Sequence, residues 1–255
     1  MTDLYVQQDQ PEGVPPLTLT GERTLPDVPE ENYWFQRHLV VYRWIAERCR
    51  GKHVVDMACG EGYGAAVLAK DAAQVVGVDA NPEAFEHARL RYRAPNLRFE
   101  RALVEQFDDG APYDAIVFLQ TIEHVTEPGA LLARFRSLIA PGGVLYVTTP
   151  NRLTLAPPGA ERSGNPWHVR EYTPEEFAAL VRPEFGSVGL RGLFHARKLR
   201  AHELAIKAGW DRVHPALGLT KRFYDRFVPA IDERDFALRD GPLDRALDLL
   251  GECRP

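Results

Sequence analysis

Short apolar runs alternate with amphipathic stretches along most of this 255-residue chain. Val54-Val55, Val75-Val76-Gly77-Val78, Ile116-Val117-Phe118-Leu119 and Val144-Leu145-Tyr146-Val147 are rich in β-branched and aromatic residues. Runs of this length and composition read as buried strands. The pattern predicts strands over 53–57, 75–79, 97–100, 114–119, 143–149 and 187–194. Helices are predicted near 63–70, 82–92, 128–139 and 174–182. Trp34, His38, Val41 and Ile45 recur at helical spacing, so Glu31 to Arg50 reads as an amphipathic helix. Asn81-Pro82 starts one helix with proline in its first turn. Thr173-Pro174-Glu175-Glu176 starts another with a capping residue and acidic first-turn residues. Strand alternating with helix implies a parallel, doubly wound α/β sheet. A ligand then belongs at the carboxyl ends of the strands, where Asp56, Asp79, Leu119 and Asn151 fall.

Three segments stand outside this alternation. Residues 1–25 are polar and proline-bearing and read as a disordered or extended arm; residues 26–255 read as one domain. Residues 150–170 form a loop rich in proline, glycine and arginine over the active face, placed to shape a substrate site. Residues 195–244 look like a helical insertion, able to cap the acceptor site, form a homodimer contact or cover the core. Arg245 to Cys253 returns as a last strand, though a short helix fits the same residues.

One stretch carries the chemistry. Val54-Val55-Asp56-Met57-Ala58-Cys59-Gly60-Glu61-Gly62-Tyr63-Gly64 runs from a strand through a glycine turn into a helix, and the next strand ends at Asp79. Glycines admit a ligand close to the backbone. A carboxylate about twenty residues on can take two ribose hydroxyls. The glycine spacing departs from the G-x-G-x-x-G of a pyrophosphate loop. It resembles motif I of the class I S-adenosylmethionine (SAM) methyltransferases, and Val78-Asp79 resembles their motif II. Tyr113 to Val125 and Leu138 to Asn151 resemble the later strands of the same family. The likeness covers roughly residues 50–194. It implies a Rossmann-like, doubly wound, mostly parallel seven-stranded sheet with a helical insertion before the last strand. It also implies that SAM lies against Asp56, Ala58, Gly60, Gly62, Asp79, Ala80, Leu103, Val104 and Leu119. Arg37, or His38 or Tyr33 beside it, is expected to reach the methionine carboxylate. Ala58 stands where the family more often has glycine, and its small size predicts little harm.

Methylating an alcohol requires that its oxygen meet the methyl group in line and lose its proton. Gln120, Glu123 and His124 lie at i, i+3 and i+4 after the fourth strand, which points them one way on a helical turn. His168 follows in Asn165-Pro166-Trp167-His168. The layout resembles the metal site of plant-type small-RNA 2′-O-methyltransferases. That resemblance implies Glu123, His124 and His168 as ligands of Mg²⁺ or Mn²⁺, with Gln120 standing where that family has glutamate. Without a metal, His168 and His124 are the general-base candidates. His195 is a further acceptor-site candidate, while His53, His87, His202 and His214 read as surface or packing residues.

A net charge of −5 argues against a broad nucleic-acid surface, and so against RNA methylation. Three cysteines make no disulfide framework. No apolar run approaches a membrane span, and the start lacks a signal peptide, so a cytoplasmic location is expected. The run from Leu17 to Phe35 and Gly192-Leu193-Phe194-His195 resemble an actinobacterial methyltransferase encoded beside genes for 6-O-methylglucose lipopolysaccharide. That resemblance implies a sugar hydroxyl on a polysaccharide or its precursor. Tyr33, Trp34, Phe35 and Trp167 fit it, because aromatic faces stack on sugars. Methylation of a polyketide, an aminosugar nitrogen or a quinone, and non-catalytic SAM binding, are the alternatives.

Overall fold

The apolar runs assemble into one sheet. In the computed structural model, which describes residues 4–5, 10–21, 23–157 and 159–255, its strand order is β5-β4-β3-β6-β7-β10-β8-β9. The strands are β3 (His53–Met57), β4 (Gln74–Asp79), β5 (Leu97–Arg101), β6 (Tyr113–Phe118), β7 (Ile139–Pro150), β8 (Ser187–His195), β9 (Phe236–Arg239) and β10 (Asp248–Arg254). β5, β4, β3, β6 and β7 run parallel to one another, whereas β10 is antiparallel to both β7 and β8. The order turns around at β3, so the carboxyl ends of β3 and β6 open a crevice, the place where such sheets bind ligands. The fold is the Rossmann-like α/β architecture expected, with a sheet one strand longer. Phe236-Ala237-Leu238, expected inside the helical insertion, pairs with His195-Phe194-Leu193 and covers the edge of β8.

Alternate residues sort the core onto the two sheet faces, as a strand's period of two requires. Val55, Met57, Ile116 and Phe118 pack with α4 (Pro128–Leu138) and α6 (Pro174–Val181). Val54, Ala115, Val117 and Tyr146 pack with α1 (Asn32–Arg48) and α2 (Tyr63–Leu68). Caps set the helix starts. Asn81 accepts from the Glu83 and Ala84 amides ahead of α3 (Pro82–Arg91), and Thr173 and Glu176 form a reciprocal capping box. A four-residue α5 (Arg152–Leu155) opens the loop after β7. The segment after β8 carries α7 (Arg197–Lys207), α8 (Trp210–Ala216) and α9 (Thr220–Phe227). Asp248 to Gly251 are all buried between β7 and β8, which makes the last apolar run a strand rather than a helix. Among the described residues no helix is long and apolar enough to cross a membrane.

The arm is docked where it is described. Leu4–Tyr5 and Leu17–Thr18 pair as a short ribbon, β1 and β2. Leu17, Leu25 and Val28 are buried together, and the His87 Nδ1 donates to the Pro15 carbonyl at 2.7 Å. The buried face of α1 also differs from the expected stripe. Val41, Tyr42 and Ile45 are buried, but Trp34 is 43% exposed. Arg37 is buried instead, and its Nε and Nη2 donate to the two Asp248 carboxylate oxygens at 2.7 and 2.5 Å. This fork joins α1 to β10. Removing one partner leaves a buried charge uncompensated. Asp248→Ala should therefore lower the unfolding free energy by about 3–5 kcal/mol in urea titration. Arg37→Met with Asp248→Leu should recover most of it, and a loss below about 1 kcal/mol would show that the pair is dispensable.

Candidate active site

The turn after β3 is built from left-handed backbone. Ala58, Gly60 and Gly62 have φ of 59°, 56° and 97°. For alanine that conformation costs roughly 1–2 kcal/mol, so the expectation of little harm at Ala58 holds for volume but not for the backbone. Asp79 ties the turn to β4: its two oxygens accept from the Gly60 and Asn81 amides, each at 2.8 Å. The later glycines serve packing. A Cβ on Gly62 would lie 2.8 Å from the Ala88 Cβ, and one on Gly64 would lie 2.1 Å from the Tyr42 ring. Cys59 is buried in the turn, and burial raises its thiol well above the ordinary range.

Three cavities meet at the carboxyl ends of the strands. The first, about 500 Å³, is lined by Ala58, Gly60, Asp79 and Leu119, with His38 and Tyr42 of α1. The second, about 590 Å³, continues over Asp79, Ala80, Leu103 and Val104. The third, about 370 Å³, lies beside Trp34, Glu31, Gln120, Glu123, Ser163 and His168. Arg23, Thr24, His38, Gln120 and His124 line both the first and the third, so these residues mark their junction. Of the residues expected at the cofactor, Arg37, Asp56 and Gly62 do not line these cavities. Arg37 is committed to Asp248, and Gly62 faces Ala88 and Phe99. His195 is also outside them: its Nε2 meets the Tyr33 hydroxyl at 2.9 Å.

Asp56 lies behind the wall. Its Oδ1 accepts from the Tyr42 hydroxyl at 3.2 Å, while Oδ2 is buried with no partner. Burial pushes its carboxyl up to about 8, Tyr42 opposes this, and the Asp79 charge adds to it. The side chains present fit SAM on these grounds. Asp79 is presented for a diol, and Asp56 is a buried carboxyl that a cation beyond Tyr42 would ionise. His38 in the same wall is pushed down to about 4 by burial and stays neutral.

The loop after β7 completes the third cavity. The Glu123 carbonyl accepts from the Val169 and Arg170 amides at 2.8 and 3.0 Å. This stitches the loop to the 3-10 turn Ile122–His124. Donor atoms of Glu123, His124 and His168 consequently lie within 4.8 Å of one another. The His124 Nδ1 is 3.0 Å from the Trp167 carbonyl, which can only accept, so that nitrogen carries the proton. The His168 Nδ1 is 2.8 Å from the Glu171 carboxylate. Hydrogen bonds from Ser163 and His168 hold Glu171 below the ordinary value against the upward effect of burial. With Nδ1 as the donor in each neutral ring, Nε2 is the nitrogen left to face a ligand; that of His168 meets the Asn165 amide nitrogen at 3.1 Å, a contact a metal would replace. Two imidazoles and a carboxylate fit Mn²⁺, Fe²⁺, Zn²⁺ or Mg²⁺. Gln120 has a left-handed φ of 50° and donates from Nε2 to the Thr148 hydroxyl at 3.0 Å. Strain of this kind gathers at functional sites. Sequence reasoning missed Arg23, Ser163 and the positioning role of Glu171; only the His-x-x-Glu spacing signalled the last.

The methyltransferase-domain family profile matches residues 33–203. A "Probable S-adenosylmethionine-dependent methyltransferase" of Mycobacterium tuberculosis is 42% identical over 186 residues, 72% of this chain and 67% of that protein. A ubiquinone biosynthesis O-methyltransferase of Albidiferax ferrireducens is 31% identical over 154 residues, 55% of this chain and 59% of its own length. A Thermotoga maritima structure described as a SAM-dependent methyltransferase, possible histamine N-methyltransferase, superposes with a TM-score of 0.59 at 17% identity. That superposition covers 89% of this chain and 95% of the other.

Asp79→Ala should weaken S-adenosylhomocysteine binding by about 10- to 100-fold in calorimetry, the worth of charge-assisted hydrogen bonds. Unchanged affinity would mean that the nucleoside is held elsewhere. Asp56 carries a second prediction. Its folded pKa of about 8 exceeds the ~3.9 of an unfolded aspartate, so its contribution to stability is full below about pH 4. That contribution is lost as pH rises through about 8. A bound cation favours the carboxylate, so binding at pH 7 should release up to about one proton. The measured enthalpy should therefore vary with the buffer's ionisation enthalpy, and Asp56→Asn should abolish the variation.

Proposed function

The chain belongs to the methyltransferase-domain family and is a SAM-dependent methyltransferase; from that premise we propose that it O-methylates a sugar hydroxyl of a polysaccharide or its precursor with divalent-metal assistance. The observation that carries this reading is the convergence of Glu123, His124 and His168 beside the junction of two cavities. One cavity is lined by Asp79 and by Ala58 and Gly60 of the glycine turn, which suits a nucleoside cofactor. The other has the mixed lining that suits a polyol: the partly exposed Trp34, with Glu31, Ser163, Asn165 and Thr24. SAM, when bound, supplies an electrophilic methyl group. A divalent cation, when bound, supplies Lewis acidity that lowers the pKa of a neighbouring hydroxyl.

The chain's own residues do the rest. Glu123 and the two imidazoles fix where an acceptor oxygen can sit, and positioning of this kind lowers the barrier by pre-paying entropy. Glu171 and the Trp167 carbonyl hold both rings in the tautomer that leaves Nε2 to face a ligand. The Trp167 side chain, 63% exposed beside the first cavity, offers a face to an incoming sugar. The ubiquinone O-methyltransferase relative favours a second reading, a phenolic acceptor, whose hydroxyl is far more acidic and needs less help.

Methyl transfer from labelled SAM should be scored against sugars, oligosaccharides and quinone precursors, with and without chelator. Turnover should vanish in EDTA and return with Mg²⁺ or Mn²⁺. His168→Ala should lose turnover while keeping S-adenosylhomocysteine affinity, and Glu171→Gln should raise the metal requirement by about 10- to 100-fold. Full activity in chelator would remove the metal from the reading, and transfer to quinones alone would remove the sugar.

A further inference from the structure

We propose that the N-terminal arm is a wall of the cofactor site and that Arg23 binds the carboxylate of the cofactor's methionine part. This rests on the cofactor being SAM, which the family supplies, and not on the metal or the acceptor. Charge balance poses the problem. The first cavity is lined by Glu61 and Asp79, with Asp56 behind Tyr42. A further carboxylate entering such a site must find a cation, because an unpaired buried charge is costly.

Arg23 is the one lysine or arginine among the described residues lining that cavity. Arg37 is locked to Asp248 and does not reach it. His38 is neutral. The Arg23 Nη1 is buried with no hydrogen-bond partner. Its stem passes over the glycine turn: a Cβ on Gly60 would lie 3.7 Å from the Arg23 Cγ. The arm is fixed on both sides of this residue by buried Leu17, Leu25 and Val28. The Arg23 amide donates to the Thr20 hydroxyl at 3.2 Å, which shapes the local turn. A guanidinium with a spare fork, held over the turn by anchored backbone, is suited to a bidentate carboxylate contact.

The test separates the carboxylate from the rest of the ligand. S-adenosylhomocysteine carries the amino-acid part, and 5′-methylthioadenosine keeps the nucleoside and thioether without it. By calorimetry, Arg23→Ala should weaken the first by about 10- to 100-fold and the second by less than about twofold. Arg23→Lys should fall between wild type and alanine for the first ligand. Methylthioadenosine binding also shows that the variant is folded with its adenosine site intact. Equal weakening of both ligands would make Arg23 a support of the arm and overturn the proposal. Unchanged binding of both would overturn it too.

Discussion

A single carbonyl organises the catalytic face. The Glu123 oxygen accepts from two consecutive amides of the loop after β7, and through them places His168 against Glu123 and His124. Backbone bonds of this kind do not depend on the loop's side chains. They require N–H groups at 169 and 170, and side chains add to them: Arg162 donates to the His168 carbonyl, and Glu171 accepts from the His168 ring. The strand end that presents the Glu123 turn is held by a side chain instead: the Thr148 hydroxyl on the neighbouring strand accepts from both the Gln120 amide and the Gln120 Nε2.

Two faces of one helix give α1 a double duty. Its buried side closes the sheet through Val41, Tyr42 and Ile45 and through the Arg37–Asp248 fork. Its other side reaches the ligand cavities through His38 and Trp34. Tyr42 belongs to both, because its ring fills the space left by Gly64 while its hydroxyl reaches Asp56. The distance between core and site is one side chain, so packing errors in α1 are felt by the cofactor.

The parts legible in the sequence were those written in local periodicity. The strand runs, the Asn81 and Thr173 caps and the Asp79 spacing each follow from residues near one another in the chain. What was not legible depends on distant partners. Arg37 looked available because its partner, Asp248, lies 211 positions away. Trp34 shared the spacing of Val41 and Ile45 and also suited a sugar face, because helical spacing does not say which stripe meets the sheet. Arg23 gave no signal, since no periodic pattern marks an arm that folds back over a cavity. β9 was hidden inside a helix-rich segment because three apolar residues fit either structure until an edge strand is there to pair with.

The Cys59 thiol has a consequence for observing this protein in solution. It is enclosed in the glycine turn, its amide bonded to the Val78 carbonyl at 2.9 Å, and burial suppresses its ionisation. An alkylating reagent reaches it from the ligand cavity whose wall it shares, and reacts only with the thiolate that burial suppresses. Its modification rate is thus a report on that wall carried by a native atom, and a ligand seated over the turn slows it.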